Sequence, residues 1–257
     1  MAEATRVPAA ERDSSGTETL ERRSFALRSV VMDRIRAVQQ LGVHDRAMMP
    51  FAEGLPAILD RLVVLERSTR SAVYNLQPQM FFDPLRRERD LNRRTRARKL
   101  KGHLIASPND YLSLLAPCHP DTWVAPVHLM GIAIDERLAL FPGPVSPGGR
   151  PTAWLCADRS LVAMFCEIWE EAKRQAVPIY DVPGLARLTE RQVDIAALLA
   201  RGAKDATVAR LLGVSQRTVT SDIGRILDAL GVSTRWEAGM IMGRACPGAL
   251  TEHPAKC

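Results

Sequence analysis

No stretch of the chain approaches the roughly 18 consecutive uncharged apolar residues that a membrane-spanning helix requires. The first two dozen residues, MAEATRVPAAERDSSGTETLERRS, have no apolar core of the kind a secretory leader carries. A cytoplasmic protein with no membrane partner is therefore expected. Cysteine is scarce: Cys118, Cys156, Cys166, Cys246 and Cys257 are odd in number and never spaced C-x-x-C. That excludes a disulfide framework and suits reduced thiols. Cys118-His119 with His128 lacks metal-ligand spacing, and Cys156 and Cys166 fall on apolar segments where cysteine acts as a small hydrophobe. Neither G-x-x-x-x-G-K-[ST] nor G-x-G-x-x-G occurs, so no glycine-rich loop cradles a nucleotide. No G-x-S-x-G presents a serine nucleophile. No cofactor and no metal are expected.

What is present is ordinary globular composition, 257 residues with 46% hydrophobic and 25% charged side chains. That is length for about two domains. The net charge of +6 is concentrated in residues 86–101, where nine Arg and Lys (Arg86, Arg87, Arg89, Arg93, Arg94, Arg96, Arg98, Lys99, Lys101) meet only Glu88 and Asp90. The rest of the chain is close to neutral. No aromatic residue interrupts the run, and Asp90 lies four residues from both Arg86 and Arg94, the spacing of ion pairs on a solvated helix face. An auxiliary phosphate contact and an anion or domain-docking surface are the other readings of this run.

Residues 1–24 are poor in large apolar side chains and read as a disordered tail. An α/β domain is expected over 25–176. Its helical segments carry Leu27, Val30, Val31, Ile35 and Val38, then Leu55, Ile58, Leu59, Leu62 and Val63. Strands are predicted at AVYNLQ (72–77), GHLIAS (102–107), HLMGIAID (128–135), RLALFP (137–142) and TAWLCAD (152–158), with a hairpin at Asp135-Glu136. A basic helix follows Pro84, a short helical turn lies at 110–115, and a helix over 161–175 carries Val162, Phe165, Ile168 and Trp169. VPIYDVPG (177–184), with two prolines and a glycine, reads as a linker.

Residues 185–245 form a different, all-α unit of four helices, followed by a tail at 246–257. Thr189 and Gln192 have capping-box spacing. A second helix runs from Asp205 to Leu212 with Val208, Leu211 and Leu212 inward, Gly213 is its left-handed exit, and Ser215 caps a third helix. Its buried face carries Val219, Ile223, Ile226, Leu227 and Leu230. Ser233 or Thr234, the latter with Glu237, opens a fourth helix bearing Trp236, Met240 and Ile241. Two short helices joined by L-G-V-S (212–215) have the tight turn a helix-turn-helix needs. Residues 188–239 resemble the LuxR/FixJ-type DNA-binding domain, matching at Leu188-Thr189-x-Arg191, Leu198, Leu199, Gly202, Val208-Ala209, Leu212-Gly213-Val214-Ser215, Thr218-Val219, Ile223, Ile226, Leu230-Gly231-Val232 and Arg235. The resemblance implies double-stranded DNA as partner, with Ser215, Gln216, Arg217, Thr218, Thr220, Ser221, Gly224 and Arg225 at the DNA. It also implies a homodimer through Trp236 and Met240. Thr220, Asp222, Gly224 and Ala229 stand where that family often has basic residues or histidine, and residues 185–244 carry nine basic against six acidic side chains, a modest +3.

His128-x-Met130-x4-Asp135 resembles the His-x-Lys-x4-Asp motif of the phospholipase D fold, with Met130 in place of the phosphate-holding lysine and no second copy. The order of segments also resembles actinobacterial regulators that join a degenerate, TrmB-like domain of that fold to a LuxR-type module. The expectation is a transcriptional regulator, not an enzyme, with a non-catalytic effector domain for a ligand or protein the sequence does not specify. A phosphodiesterase of the phospholipase D type tethered to DNA is the alternative. A phosphorylated receiver domain and an acyl-homoserine-lactone pocket both lack their signatures here.

Overall fold

The computed structural model describes residues 14–42, 44–80, 82, 85, 89–109 and 111–244. These divide into two compact units, the described residues of 14–78, 93–107 and 121–178 forming one and those of 79–92, 108–120 and 179–244 the other.

The first unit is an eight-stranded mixed sheet. Its strands are β1 (Met48–Glu53), β2 (Val73–Gln77), β3 (Leu104–Ala106), β4 (Trp123–Val124), β5 (Gly131–Ile134), β6 (Leu138–Pro142), β7 (Thr152–Cys156) and β8 (Val177–Pro178), in the order β1-β7-β6-β5-β2-β3-β4-β8. Pairing is parallel only between β2, β3 and β4. Helices α1 (Ser14–Leu41) and α5 (Arg159–Gln175) share a core with one face, through Leu27, Ile35, Phe165 and Trp169 over Tyr74, Ala139, Phe141 and Trp154. Helix α2 (Leu55–Ser68) covers the other face with Leu62 and Leu65 against Phe51, Ile134 and Leu140. Neighbours Leu140 and Phe141 serve opposite faces, as a period of two requires.

Several expectations are corrected here. Residues 14–24 are not a tail but the first turns of α1, because Leu20 is buried and Arg23 pairs with Glu167 and Glu171 of α5. Residues 1–13, the tail 246–257, and Cys246 and Cys257 lie outside the described residues. Val30, expected inward, is exposed. β1 went unpredicted; Pro50 is tolerated there because β1 is an edge strand whose register shifts between Pro50 and Ala52. The linker 177–184 begins as β8, paired with β4, and continues into a 3-10 turn whose Ile179 is fully buried. Residues 79–92 and 108–120, which the sequence groups with the α/β domain, cluster with the second unit, where the Tyr111 hydroxyl donates to Met80 O and the Tyr180 hydroxyl to Ala116 O.

The basic run is less solvated than its i,i+4 pattern suggests. Within α3 (Arg89–Ala97) and just beyond it, Arg94 and Arg98 reach buried Glu66 at 3.8 and 2.9 Å, and Arg98 also donates to the carbonyls of Glu66 and Thr69 at the end of α2. Cationic groups suit the negative end of a helix. Arg86, Arg87 and Glu88 lie outside the described residues.

Arg34 of α1 holds the entry of β1 and the start of α5 together, 2.6 Å from both Asp45 and Asp158. Its bonds hold both carboxyls below the usual range. Asp158 is also the N-cap of α5, accepting from Ser160 N and Leu161 N. Gly131 lies where β5 passes beneath α5, and a Cβ there would meet Phe165 Cε2 at 2.7 Å.

The predicted hairpin is present, with Ile134 paired to Leu138, Arg137 N donating to Ile134 O at 3.0 Å, and Asp135 and Glu136 both at positive φ, 53° and 55°. Asp135 accepts bonds from Arg70 N, Ser71 N, Ala72 N and Ser71 Oγ between 2.7 and 3.0 Å. Burial opposes its ionisation, but those bonds win and hold its carboxyl down to about 2. Asp135→Ala is therefore expected to cost about 1–3 kcal/mol of stability at neutral pH. A depressed pKa gives stability that is complete above about 4 and lost as pH falls toward 2. Denaturation at pH 7 and pH 3 should show the gap between parent and variant narrowing in acid.

Candidate nucleic-acid interface

The second unit ends in four helices, α6 (Glu190–Ala200), α7 (Asp205–Leu212), α8 (Gln216–Ala229) and α9 (Arg235–Arg244). The Thr189–Gln192 capping box opens α6. Gly213 leaves α7 at φ 66°, a conformation that strains any residue with a Cβ. The turn closes as Val214 N returns to Ala209 O at 3.0 Å. Ser215 then caps α8, its Oγ accepting from Thr218 N at 3.0 Å and lying 2.8 Å from Thr218 Oγ1.

The faces of α8 sort cleanly. Val219, Asp222, Ile223 and Ile226 are buried, with Leu230 just beyond the helix, whereas Gln216, Arg217, Thr220, Ser221 and Arg225 are exposed. Gly224 and Thr218 are half-buried, and nothing lies within 4 Å of where a Gly224 Cβ would stand. Helical spacing of 216, 217, 220, 221, 224 and 225 makes these one open stripe. Thr220 Oγ1 donates to Gln216 O at 3.1 Å, which leaves its methyl group and lone pairs for any other contact. Ser215, Gln216, Arg217, Thr218, Thr220, Ser221, Gly224 and Arg225 thus fall together on the N-cap and this side of α8.

Asp222, which stands where the luxR-type family often has a basic residue or histidine, is 2% exposed and holds α8 to the start of α6. Its Oδ2 accepts from Arg191 Nε and its Oδ1 from Gln192 Nε2, both at 2.9 Å. Burial raises its pKa, but these two bonds outweigh burial and the carboxyl stays below its ordinary value. Gln192 also accepts from Thr189 N at 2.8 Å, so one side chain serves both the cap and the contact between helices. The sequence offered one clue, Arg191 in the matched motif. A second brace was also missed: Arg235 makes a two-pronged pair with Asp205 at 2.7 and 2.8 Å, joining α9 to α7. Leu211, expected inward, is exposed, and Ala209 is buried in its place. On α9, Glu237 accepts from Ser233 N, Thr234 N and Thr234 Oγ1, while Trp236 and Met240 are 79% and 51% exposed.

Residues 186–242 match the family described as "Bacterial regulatory proteins, luxR family". The C-terminal helices are a luxR-family helix-turn-helix domain. A regulatory protein of the bialaphos biosynthetic pathway from Streptomyces hygroscopicus is 44% identical over 52 residues, 20% of this chain and 20% of that protein. The chain therefore spans about a fifth of that relative's length. Among solved structures, the archaeal chromatin protein TrmBL2 aligns with TM-score 0.38 and 11% identity, covering 63% of this chain and 68% of that one. The phospholipase D family member Nuc from Salmonella typhimurium aligns with TM-score 0.33 and 11% identity over 45% of this chain and 86% of that one. At these values the likeness assigns no activity to the sheet unit, which stands as an α/β domain ahead of the luxR-family helices.

The His128-x-Met130-x4-Asp135 motif does not gather into one site. His128 and Met130 precede β5 rather than lying in it, and both line a cleft beside α1. Asp135 is not among the residues lining that cleft; its carboxylate is committed to Arg70, Ser71 and Ala72. Among the described residues, no group of three or more His, Cys, Asp and Glu could hold a metal ion. Burial pushes the Cys156 and Cys166 thiols up, Cys166 to about 11, so both stay protonated near neutrality. Among the described residues no helix is long and apolar enough to cross a membrane.

Proposed function

We propose that the chain is a cytoplasmic, sequence-specific DNA-binding transcriptional regulator that reads the major groove with α8 and binds as a homodimer. The observation that carries this reading is the open stripe of Gln216, Arg217, Thr220, Ser221, Gly224 and Arg225 on a capped helix within a luxR-family domain. The amides of Gln216 and Arg217 precede the first bond of the helix, from Val219 N to Ser215 O, and suit a phosphate oxygen beside the hydroxyls of Ser215 and Thr218. Selection from a random duplex library should enrich one site built of two half-sites; a selection that enriches no sequence would overturn the reading.

Trp236 and Met240 lie four residues apart on α9 and expose large apolar surface, which favours pairing of two chains there. Sedimentation on the selected operator should show two chains per site, and Trp236→Glu should reduce that to one. One parent chain at saturation refutes the dimer.

The sheet unit acts in this proposal as a non-catalytic effector or interaction domain. A phosphoryl group near His128 would meet the thioether of Met130, which cannot offset its charge. The purified chain is expected to leave a chromogenic phosphodiester unhydrolysed; turnover that His128→Ala abolishes would establish the tethered-phosphodiesterase alternative.

A further inference from the structure

The sheet unit holds a cleft of about 650 Å³ between α1 and the segments around β5 and β6. Sites for small organic ligands are commonly about 300–1,000 Å³. Phe25, Met32, Met130 and Phe141 supply apolar wall, and Arg28 and His128 supply polar groups. Three features of the lining are unexplained by the fold. Phe25, a large aromatic residue, is 45% exposed on the cleft. Arg28 lies 5.4 Å over the Phe25 ring and forms no ion pair with a carboxylate among the described residues, whereas the other lining cation, Arg36, is offset by Asp33 at 3.2 Å. His128 Nε2 is covered yet has no hydrogen-bond partner, and such an orphan is costly. The lining therefore has one unbalanced positive charge, one unsatisfied ring nitrogen and an apolar floor.

We propose that this cleft binds a small amphiphilic monoanion, an organic carboxylate whose apolar body packs between Phe25, Met32 and Phe141 while its charged head meets Arg28. Guanidinium-to-carboxylate bonds are short and charge-assisted, and an aromatic wall beneath the guanidinium excludes water from them. The ligand covers the exposed Phe25 ring and offsets Arg28 at once, while the covered His128 Nε2 lies beyond its reach. It supplies an effector for the sheet unit, but the binding is independent of DNA and is tested without it.

Fluorescence titration of the full chain with 1-anilinonaphthalene-8-sulfonate, followed by displacement with decanoate and with decanol, decides the matter. The expected result is saturable binding of one probe per chain, displaced by decanoate at about tenfold lower concentration than by decanol. Arg28 is exposed and its removal leaves the core intact, so Arg28→Ala should weaken the sulfonate probe and abolish the preference for decanoate, the two competitors then displacing the remaining probe at equal concentration. Met130→Trp should fill the cleft and remove saturable binding with the circular dichroism spectrum preserved. Absence of saturable binding by the parent chain overturns the proposal. So does equal displacement by the two competitors, or a preference that survives Arg28→Ala.

Discussion

Asp222→Ala is expected to lower the stability of the C-terminal helices by about 2–4 kcal/mol, the largest effect of any single polar substitution in the domain. The carboxylate is 2% exposed and accepts from two different donors on α6, so truncation removes two bonds and strands the amide of Gln192, itself 2% exposed. Arg191 is nearly half exposed and can turn to water, which keeps the cost below that of a fully buried pair. A unit of this size has only a few kcal/mol in total, so the variant should populate open states extensively. Hydrogen exchange read by peptide on the full chain should show lost protection in α6 and α8 with β5–β7 unchanged. The carboxyl of Asp222 is held below its ordinary value, so its contribution is complete above about pH 4 and is lost as the pH falls through the native pKa. Asp222→Asn keeps an acceptor for Gln192 but no charge for Arg191; its deficit at pH 7 should shrink below pH 4. Unchanged exchange in α8 for the alanine variant would mean that the network does not position the helix.

The route from sequence to site was legible wherever the signal is local. L-G-V-S at 212–215 specifies a left-handed exit and a cap within four residues, and both appear, as do the capping boxes at Thr189 and Thr234. What escaped depends on distant partners. Asp222 resembles any surface acid until Arg191 and Gln192, thirty residues earlier, are brought beside it. MMPFAE has neither alternation nor β-branching, and becomes β1 only because β7 offers it an edge. The polar first turns of α1 form because α5 buries Leu20 and pairs Arg23. Arg98 looked like part of a solvated run until the carbonyl end of α2 claimed it.

Arg217→Ala and Arg225→Ala are expected to weaken DNA binding in different ways. Arg217 stands in the first turn of α8, where a recognition helix approaches base edges, and a guanidinium there can meet a guanine with two bonds. Its loss should cost about 1–3 kcal/mol on sites holding the matching base and little on sites lacking it. Arg225 lies two turns further on, 66% exposed and 4.0 Å from Oδ1 of Asp222, the buried acid that braces α8. A cation so placed is better suited to a phosphate, and Arg225→Ala should weaken all sequences alike and reduce the slope of log affinity against log salt by about 0.9. Between them, Thr220 has spent its hydroxyl proton on Gln216 O and can offer only a methyl group and lone pairs. Thr220→Val therefore separates its two uses: retained affinity marks a contact with a thymine methyl, and lost affinity marks an accepted bond from an exocyclic amine. Titrations of the three variants at several salt concentrations, on the selected site and its single-base changes, measure every one of these terms. Equal losses on every sequence for both arginines would show that α8 holds the backbone and reads no bases.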